Sequence, residues 1–159
     1  TQGVSSAASD VYKRQELNVF GEVADGVRLL GGVTLIDAEL ERTAGGRFDG
    51  NDVPGVANVA INLYGEYDID WLTPGLTLTG RVIHTGNTWY DQANTQKIDD
   101  WTRVDAGLRY AFTGPYDKPV ELRANVENLF GEDYWASSAR GFLAAGASRT
   151  FTVSAAIEF

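Results

Sequence analysis

The chain has no cysteine and no methionine among its 159 residues, and only one histidine. Without cysteine there is no disulfide framework and no thiolate metal site. A single histidine, His84, cannot build a histidine cluster around a metal. Basic residues are in the minority, 13 against 22 acidic ones. That balance excludes the basic face that nucleic-acid binding requires. No apolar run is long enough for a transmembrane helix, and no segment shows a convincing helical period. A complete reading frame supplies a methionine at its start, so its absence points to a piece of a longer chain.

What is present is glycine, aromatic side chains and alternation. The opening segment is the exception. "SSAASDVYKRQ" (Ser5 to Gln15) shares no pattern with the remainder of the chain. Back-translated, it resembles a transposase adapter of the kind used to prepare sequencing libraries. A natural linker of small residues is the alternative. Scars of this kind are set aside in fold reasoning. The expected division is therefore a non-native segment over residues 1–15 and the natural chain over residues 16–159.

From there the sequence predicts an all-β fold of seven strands: Glu16–Ala24, Val27–Leu40, Gly55–Ile69, Leu76–Thr88, Trp101–Thr113, Val120–Phe130 and Arg149–Phe159. Alternation in a strand separates two faces. The third strand sets Val59, Ile61, Leu63 and Tyr67 against Asn62, Tyr64, Glu66 and Asp68. The fifth sets Val104, Ala106, Leu108, Tyr110 and Phe112 against Arg103, Asp105 and Arg109. The second, "VRLLGGVTLIDAEL", is apolar in both phases, and its faces cannot be assigned.

Connections alternate too. "ADG", "DWLTPG" and "TGPYDKP" are short and rich in turn residues. Between them fall "ERTAGGRFDGNDVP", "GNTWYDQANTQKIDD" and "GEDYWASSARGFLAAGAS". A meander with short turns at one end and long loops at the other is the plan of an antiparallel transmembrane β-barrel. Its charged face would line a watery lumen and its apolar face would meet lipid. A soluble barrel or sandwich also alternates, but does not segregate loop length so regularly. The chain closes on "RTFTVSAAIEF", whose Phe151, Val153, Ile157 and Phe159 would form a wall strand ending at the aromatic girdle. Seven strands do not close such a barrel, so two exposed sheet edges and aggregation in water are expected.

Several motifs together resemble the TonB-dependent outer-membrane receptors, ferric-siderophore branch. "LRANVENLFGEDYW" is similar to that family's penultimate-strand motif, with Asn125, Asn128, Leu129, Phe130, Asp133 and Tyr134 matching. "WTRVDAGLRY" resembles the preceding strand through Thr102, Asp105, Arg109 and Tyr110. "PGLTLTGRVIHTGNTWYD" resembles the strand and loop before that. "GASRTFTVSAAIEF" resembles the closing strand, although Ser148 stands where the family usually has Pro, and "KIDDWT" lacks the Pro expected before Trp101. The resemblance implies a barrel of about twenty-two strands around a plug, of which this chain is an incomplete meander. It implies uptake of a ferric siderophore across the outer membrane of a Gram-negative bacterium, with energy relayed by TonB. The long loops would be extracellular and the short turns periplasmic. The missing N-terminal part would carry the plug and the TonB contact. The closing strand resembles the signal read by the outer-membrane assembly machinery. A passive porin or barrel anchor without a plug is the alternative.

Nothing suggests catalysis, and no cofactor is expected, since the siderophore itself wraps the iron. Ligand capture would rest on outer-loop side chains: Trp89, Tyr90, Tyr134, Trp135, Arg140 and Phe142. An aromatic girdle is an equal reading for Trp89, Tyr90, Tyr134 and Trp135. Arg140 stands out because a guanidinium suits carboxylate or catecholate chelates. "FDGNDVPG" offers Asp49, Asn51 and Asp52 as oxygen donors but lacks full calcium-loop spacing, so a turn is expected. Arg81, Arg103, Asp105, Arg109, Arg123 and Glu127 are expected to line the lumen, and His84 to sit in the apolar phase near the outer end of its strand.

Overall fold

A computed structural model describes residues 9–139 and 142–157. Seven long strands form one antiparallel sheet: β1 (Ser9–Ala24), β2 (Val27–Arg42), β3 (Val59–Asp68), β4 (Leu76–Thr85), β7 (Trp101–Thr113), β8 (Pro119–Glu127) and β11 (Thr150–Ile157). Each pairs with the next in chain order. Two small hairpins stand in the long loops: β5 (Thr88–Trp89) with β6 (Lys97–Ile98), and β9 (Trp135–Ala139) with β10 (Phe142–Ala145). The all-β meander is as the sequence predicts, with every short turn at one end. Among the described residues β1 and β11 remain the two open edges.

The register sorts side chains into two faces. Val27, Tyr67, Leu78, Leu108, Ala124 and Val153 form one row across six strands. Leu63, Val82 and Val104 form another. These positions stay substantially open: Leu78 is 43 % exposed and Val153 81 %. A sheet that leaves an entire apolar face uncovered has no use for that face in water. It is the pattern of a wall whose outer solvent is hydrocarbon. Toward the short-turn end the same face carries Tyr67 and a stacked pair, Tyr110 and Phe112, with ring centroids 5.0 Å apart.

The opposite face is polar and internally bonded. Arg28 donates to both carboxylate oxygens of Asp68, at 2.7 Å each, and to Glu66 at 3.0 Å. Glu66 also accepts from Arg109 at 3.1 Å and from the Tyr64 hydroxyl at 2.8 Å. Arg109 lies directly opposite Arg123, a like-charge juxtaposition that is unfavourable alone. It is relieved because Arg109 turns to Glu66 and Arg123 to Glu121, at 2.6 Å. Gly107 leaves room here: a Cβ would meet Asn125 Oδ1 and Thr79 Oγ1.

Pairing with β3 settles the faces of β2. Val27, Leu29, Val33 and Leu35 join the apolar face, while Arg28, Leu30 and Thr34 join the polar one. Beyond Leu35 the polarity inverts. Ile36, Ala38 and Leu40 stay in phase with Arg28, yet Ala38 and Leu40 are buried. They pack with Val53, Phe48 and Val56 from the β2–β3 loop, which folds back over the strand. Asp37, Glu39 and Glu41 then take the outer face.

The larger differences from the expected boundaries fall on five strands. β1 begins at Ser9 rather than Glu16, pairing Asp10 with Leu40 and Lys13 with Asp37. β2 itself runs to Arg42, and its backbone ladder accepts any extended segment laid beside it. β3 starts at Val59, because Gly55 takes a positive φ of 77° and turns the chain toward the neighbouring loops. β4 stops at Thr85. β8 stops at Glu127, because Asn128 adopts a left-handed φ of 54°.

Candidate functional site

The long-loop end is built by three loops that hold one another. Asp52 N–H donates to Asn94 Oδ1 at 2.8 Å, and Asn94 Nδ2 returns a bond to the Asp52 carbonyl at 3.1 Å. The Trp89 indole N–H donates to Asp52 Oδ2 at 2.8 Å. Asn51 Nδ2 donates to the Gln92 carbonyl, and Gly55 N–H to the Trp89 carbonyl, both at 2.8 Å. Gly55 approaches the third loop so closely that a Cβ there would meet the Ser138 carbonyl. Asp49 is turned onto Thr43, accepting from its N–H at 2.7 Å and its hydroxyl at 2.8 Å. "FDGNDVPG" is therefore a turn whose oxygen atoms serve the loop fold.

Asp91 organises the β5–β6 hairpin. Its carboxylate accepts from the backbone N–H of Gln96 and Thr95 and from the Thr95 hydroxyl. These donors stabilise the charged form, and they hold its pKa below the ordinary aspartate value, the Gln96 N–H contributing most.

Asn128 performs the same task for the third loop, from a buried position. It is 1 % exposed. Its Nδ2 donates to the carbonyls of Glu132 and Ala147 at 2.8 and 2.9 Å, and its Oδ1 accepts from Glu132 N–H at 2.7 Å. Its own N–H donates to Asp105 on β7 at 2.8 Å. Asp105 accepts from Arg103 as well, at 2.9 Å, and Arg103 reaches the Tyr134 hydroxyl at 3.3 Å. Tyr134 lies stacked on Trp101, ring centroids 4.0 Å apart.

Between the second and third loops these anchors leave a cleft of about 360 Å³. Tyr90, Trp101, Tyr134 and Trp135 give it aromatic walls. Asp99, Asp100, Asp133 and Lys97 bring charge to its lining. Trp101 shares its sheet face with Arg103 and Asp105, so the cleft opens on the polar side of the wall. Arg103 is held by Asp105 and Tyr134 through its two terminal nitrogens, while its buried Nε has no partner among the described residues.

The expected ligand contacts divide accordingly. Tyr90, Tyr134 and Trp135 come together in the cleft. Trp89 instead ties two loops through Asp52. Phe142 is 77 % exposed on β10, outside the cleft lining. Arg140 lies outside the described residues. Arg81, Arg103, Asp105, Arg109, Arg123 and Glu127 all occupy the polar phase of their strands. His84 stands in the apolar phase, its Nδ1 2.9 Å from Thr102 Oγ1 on the next strand. Phe151, Val153 and Ile157 share the apolar face, and Phe159 lies outside the described residues. Sequence reasoning missed Trp101, Asp99, Asp100 and Lys97. Their signal was the run "KIDDW", an acidic pair set against an aromatic strand start.

A family model described as TonB dependent receptor-like, beta-barrel, matches residues 4–129. The chain belongs to this family. Within it, the chain is 40% identical over 146 residues to "Ferrichrome receptor FcuA" of Yersinia enterocolitica, covering 91% of this chain and 19% of that protein. It is 31% identical over 123 residues to "Ferrichrome outer membrane transporter/phage receptor" of Escherichia coli K12, covering 77% of this chain and 16% of that protein. Among solved structures it resembles BauA, the ferric preacinetobactin receptor of Acinetobacter baumannii, with a TM-score of 0.89 and 33% identity over 97% of this chain and 23% of that one. The chain thus spans about a fifth of the length of the TonB-dependent receptors it matches. Those relatives are named as receptors and transporters, not enzymes.

Proposed function

We propose that this chain forms part of the wall and outer loops of a receptor that carries a ferric siderophore across the outer membrane of a Gram-negative bacterium. Family membership supports the barrel, and two relatives named for ferrichrome support the cargo. The observation that carries the reading is the aromatic cleft of Tyr90, Trp101, Tyr134 and Trp135 at the long-loop end, open to the polar side of the sheet. A porin needs a hydrated, unobstructed mouth. A receptor needs rigid aromatic surface to catch a bulky chelate, and the interlocked loops provide it with little ordering left to do on binding.

No step of bond making on the cargo is involved, and the iron arrives already ligated, so the chain needs no cofactor of its own. The long loops face the exterior and the short turns the periplasm. A plug inside the lumen and contact with TonB complete the working receptor. Phe151, Val153, Ile157 and Phe159 present the closing strand to the outer-membrane assembly machinery. Arg140 and Phe142 remain candidate contacts on the third loop.

The test is uptake of radiolabelled ferric siderophore by cells that lack their own receptors and express the intact gene. Accumulation that requires TonB is the expected result. Permeation of unrelated small solutes without TonB overturns the reading and makes the barrel a pore.

A further inference from the structure

We infer that the cleft between the second and third loops selects ferric chelates that are uncharged or cationic, and discriminates against anionic ones. The inference rests on the receptor reading and adds the charge class of the cargo. Three observations meet at one place.

The first is shape. The cavity of about 360 Å³ is walled by two rings already stacked together, Trp101 and Tyr134, and by Tyr90 and Trp135. Aromatic faces carry negative charge at their centres and attract cations. They also accept the apolar edges of an uncharged chelate.

The second is the sign of the lining charges. Among the described lining residues, Asp99, Asp100 and Asp133 are opposed by Lys97 alone. An anion entering between these carboxylates meets repulsion that a neutral guest does not, and that a cation turns into attraction.

The third is availability. Elsewhere on the chain the carboxylates that face neighbours are consumed by them: Asp52 by Trp89, Asp91 by Thr95 and Gln96, Asp105 by Arg103 and Asn128, Glu66 and Asp68 by Arg28. Among the described residues, neither the three cleft carboxylates nor Lys97 has a side-chain hydrogen bond or ion pair. The guanidinium placed to rescue an anion, Arg103, is held by Asp105 and Tyr134. Charge that the fold does not use is free to act on whatever enters.

The test uses the intact receptor, purified in detergent, and measures equilibrium binding of three chelates of similar size. They are a neutral cyclic ferric trishydroxamate, the cationic ferric complex of desferrioxamine B, and a ferric tris-catecholate, which is strongly anionic. The neutral or the cationic complex is expected to bind at least roughly tenfold more tightly than the anionic one. Asp100→Asn combined with Asp133→Asn should weaken the cationic complex and strengthen the anionic one, by roughly threefold to tenfold each at low salt. The neutral complex should hardly respond. Lys97→Gln should move both charged complexes the opposite way. Because Asn matches Asp in shape, folding is checked simply, by heat-modifiable migration on gels. Tightest binding of the anionic complex, or an unchanged preference in the Asp100→Asn, Asp133→Asn double variant, overturns the charge inference while leaving the receptor reading intact. Failure of all three chelates to bind the folded receptor removes the receptor reading and this inference with it.

Discussion

The polar wall and the outer cleft both hold clustered charge, yet they use it oppositely. On the wall, Arg28, Glu66, Asp68 and Arg109 close on one another at 2.7–3.1 Å. In the cleft, Asp99, Asp100 and Asp133 touch no cation among the described residues. A half-buried charge without a partner is costly, so the wall pairs what it cannot fully hydrate. At the cleft, water reaches the side chains and no pairing is needed. The lesson is to ask what a charge has left over after the fold has used it.

Breaking the contrast starts at Asn128, which joins the two regions by tying β7 to the third loop. Asn128→Ala removes three side-chain bonds and strands the Glu132 and Ala147 carbonyls. A loss of about 2–4 kcal/mol is expected, read by urea unfolding of the intact receptor in lipid vesicles. Cleft binding should weaken with it, since Tyr134 and Trp135 belong to the same loop. If stability does not fall, Asn128 is a bystander and the loop is held elsewhere.

Next comes the wall itself. Glu66→Gln leaves Arg28 and Arg109 sharing a neutral amide, and should cost about 1–3 kcal/mol in the same unfolding measurement. Siderophore affinity should not change, because this cluster lies well down the sheet from the cleft. A change in affinity with unchanged stability would invert the comparison.

A smaller effect belongs to Asp91, whose folded-state pKa is depressed by the donors from Gln96 and Thr95. The stabilisation is present above the ordinary aspartate pKa and disappears as pH falls through the lowered value. Acidification into that window should lower the exchange protection factors of the Thr95 and Gln96 amides first. Asp91→Asn should make the hairpin's protection factors insensitive to pH over the same range. The smallest effect is expected from Asp100→Asn, whose side chain makes no hydrogen bond or ion pair among the described residues and which should leave the unfolding midpoint where it was. A clear shift there would show that the cleft carboxylates are structural after all.

Much of this was legible in the chain. β3 and β8 alternate throughout, and β4 and β7 do so up to their long-loop ends, where His84 and Thr102 enter the apolar phase and Ile83 and Trp101 the polar one. β2 does not alternate, and its ambiguity has a physical source. Its outer phase is apolar up to Leu35, and its inner phase becomes apolar from Ile36, where the loop covers Ala38 and Leu40. The two half-patterns overlap in sequence and read as one featureless run. Cleft residues were half legible for a similar reason. Tyr90, Tyr134 and Trp135 stand in loops, where an aromatic invites a question. Trp101 opens a strand and looks like wall, while Trp89 looked like a contact and proved to be a tie between loops. Residues 9–15 pair with β2 along the backbone ladder, and Lys13 also lies 3.9 Å from Asp37 in an exposed ion pair. The division proposed at Glu16 is tested by reading the uninterrupted gene upstream.

The polarity reversal on β2 also limits how the barrel can ride in its membrane. Leu35 and Asp37 are consecutive on one face, so hydrocarbon must end between them. Sinking the wall by two residues, about 7 Å along the strand, would draw Asp37 into the acyl chains, and a further step would take Glu39 with it. Raising it would strip lipid from Tyr67 and Tyr110 at the other rim. The strand thus behaves as a draught mark on a hull. A bilayer of unsuitable thickness would have to deform around this barrel rather than let it slide.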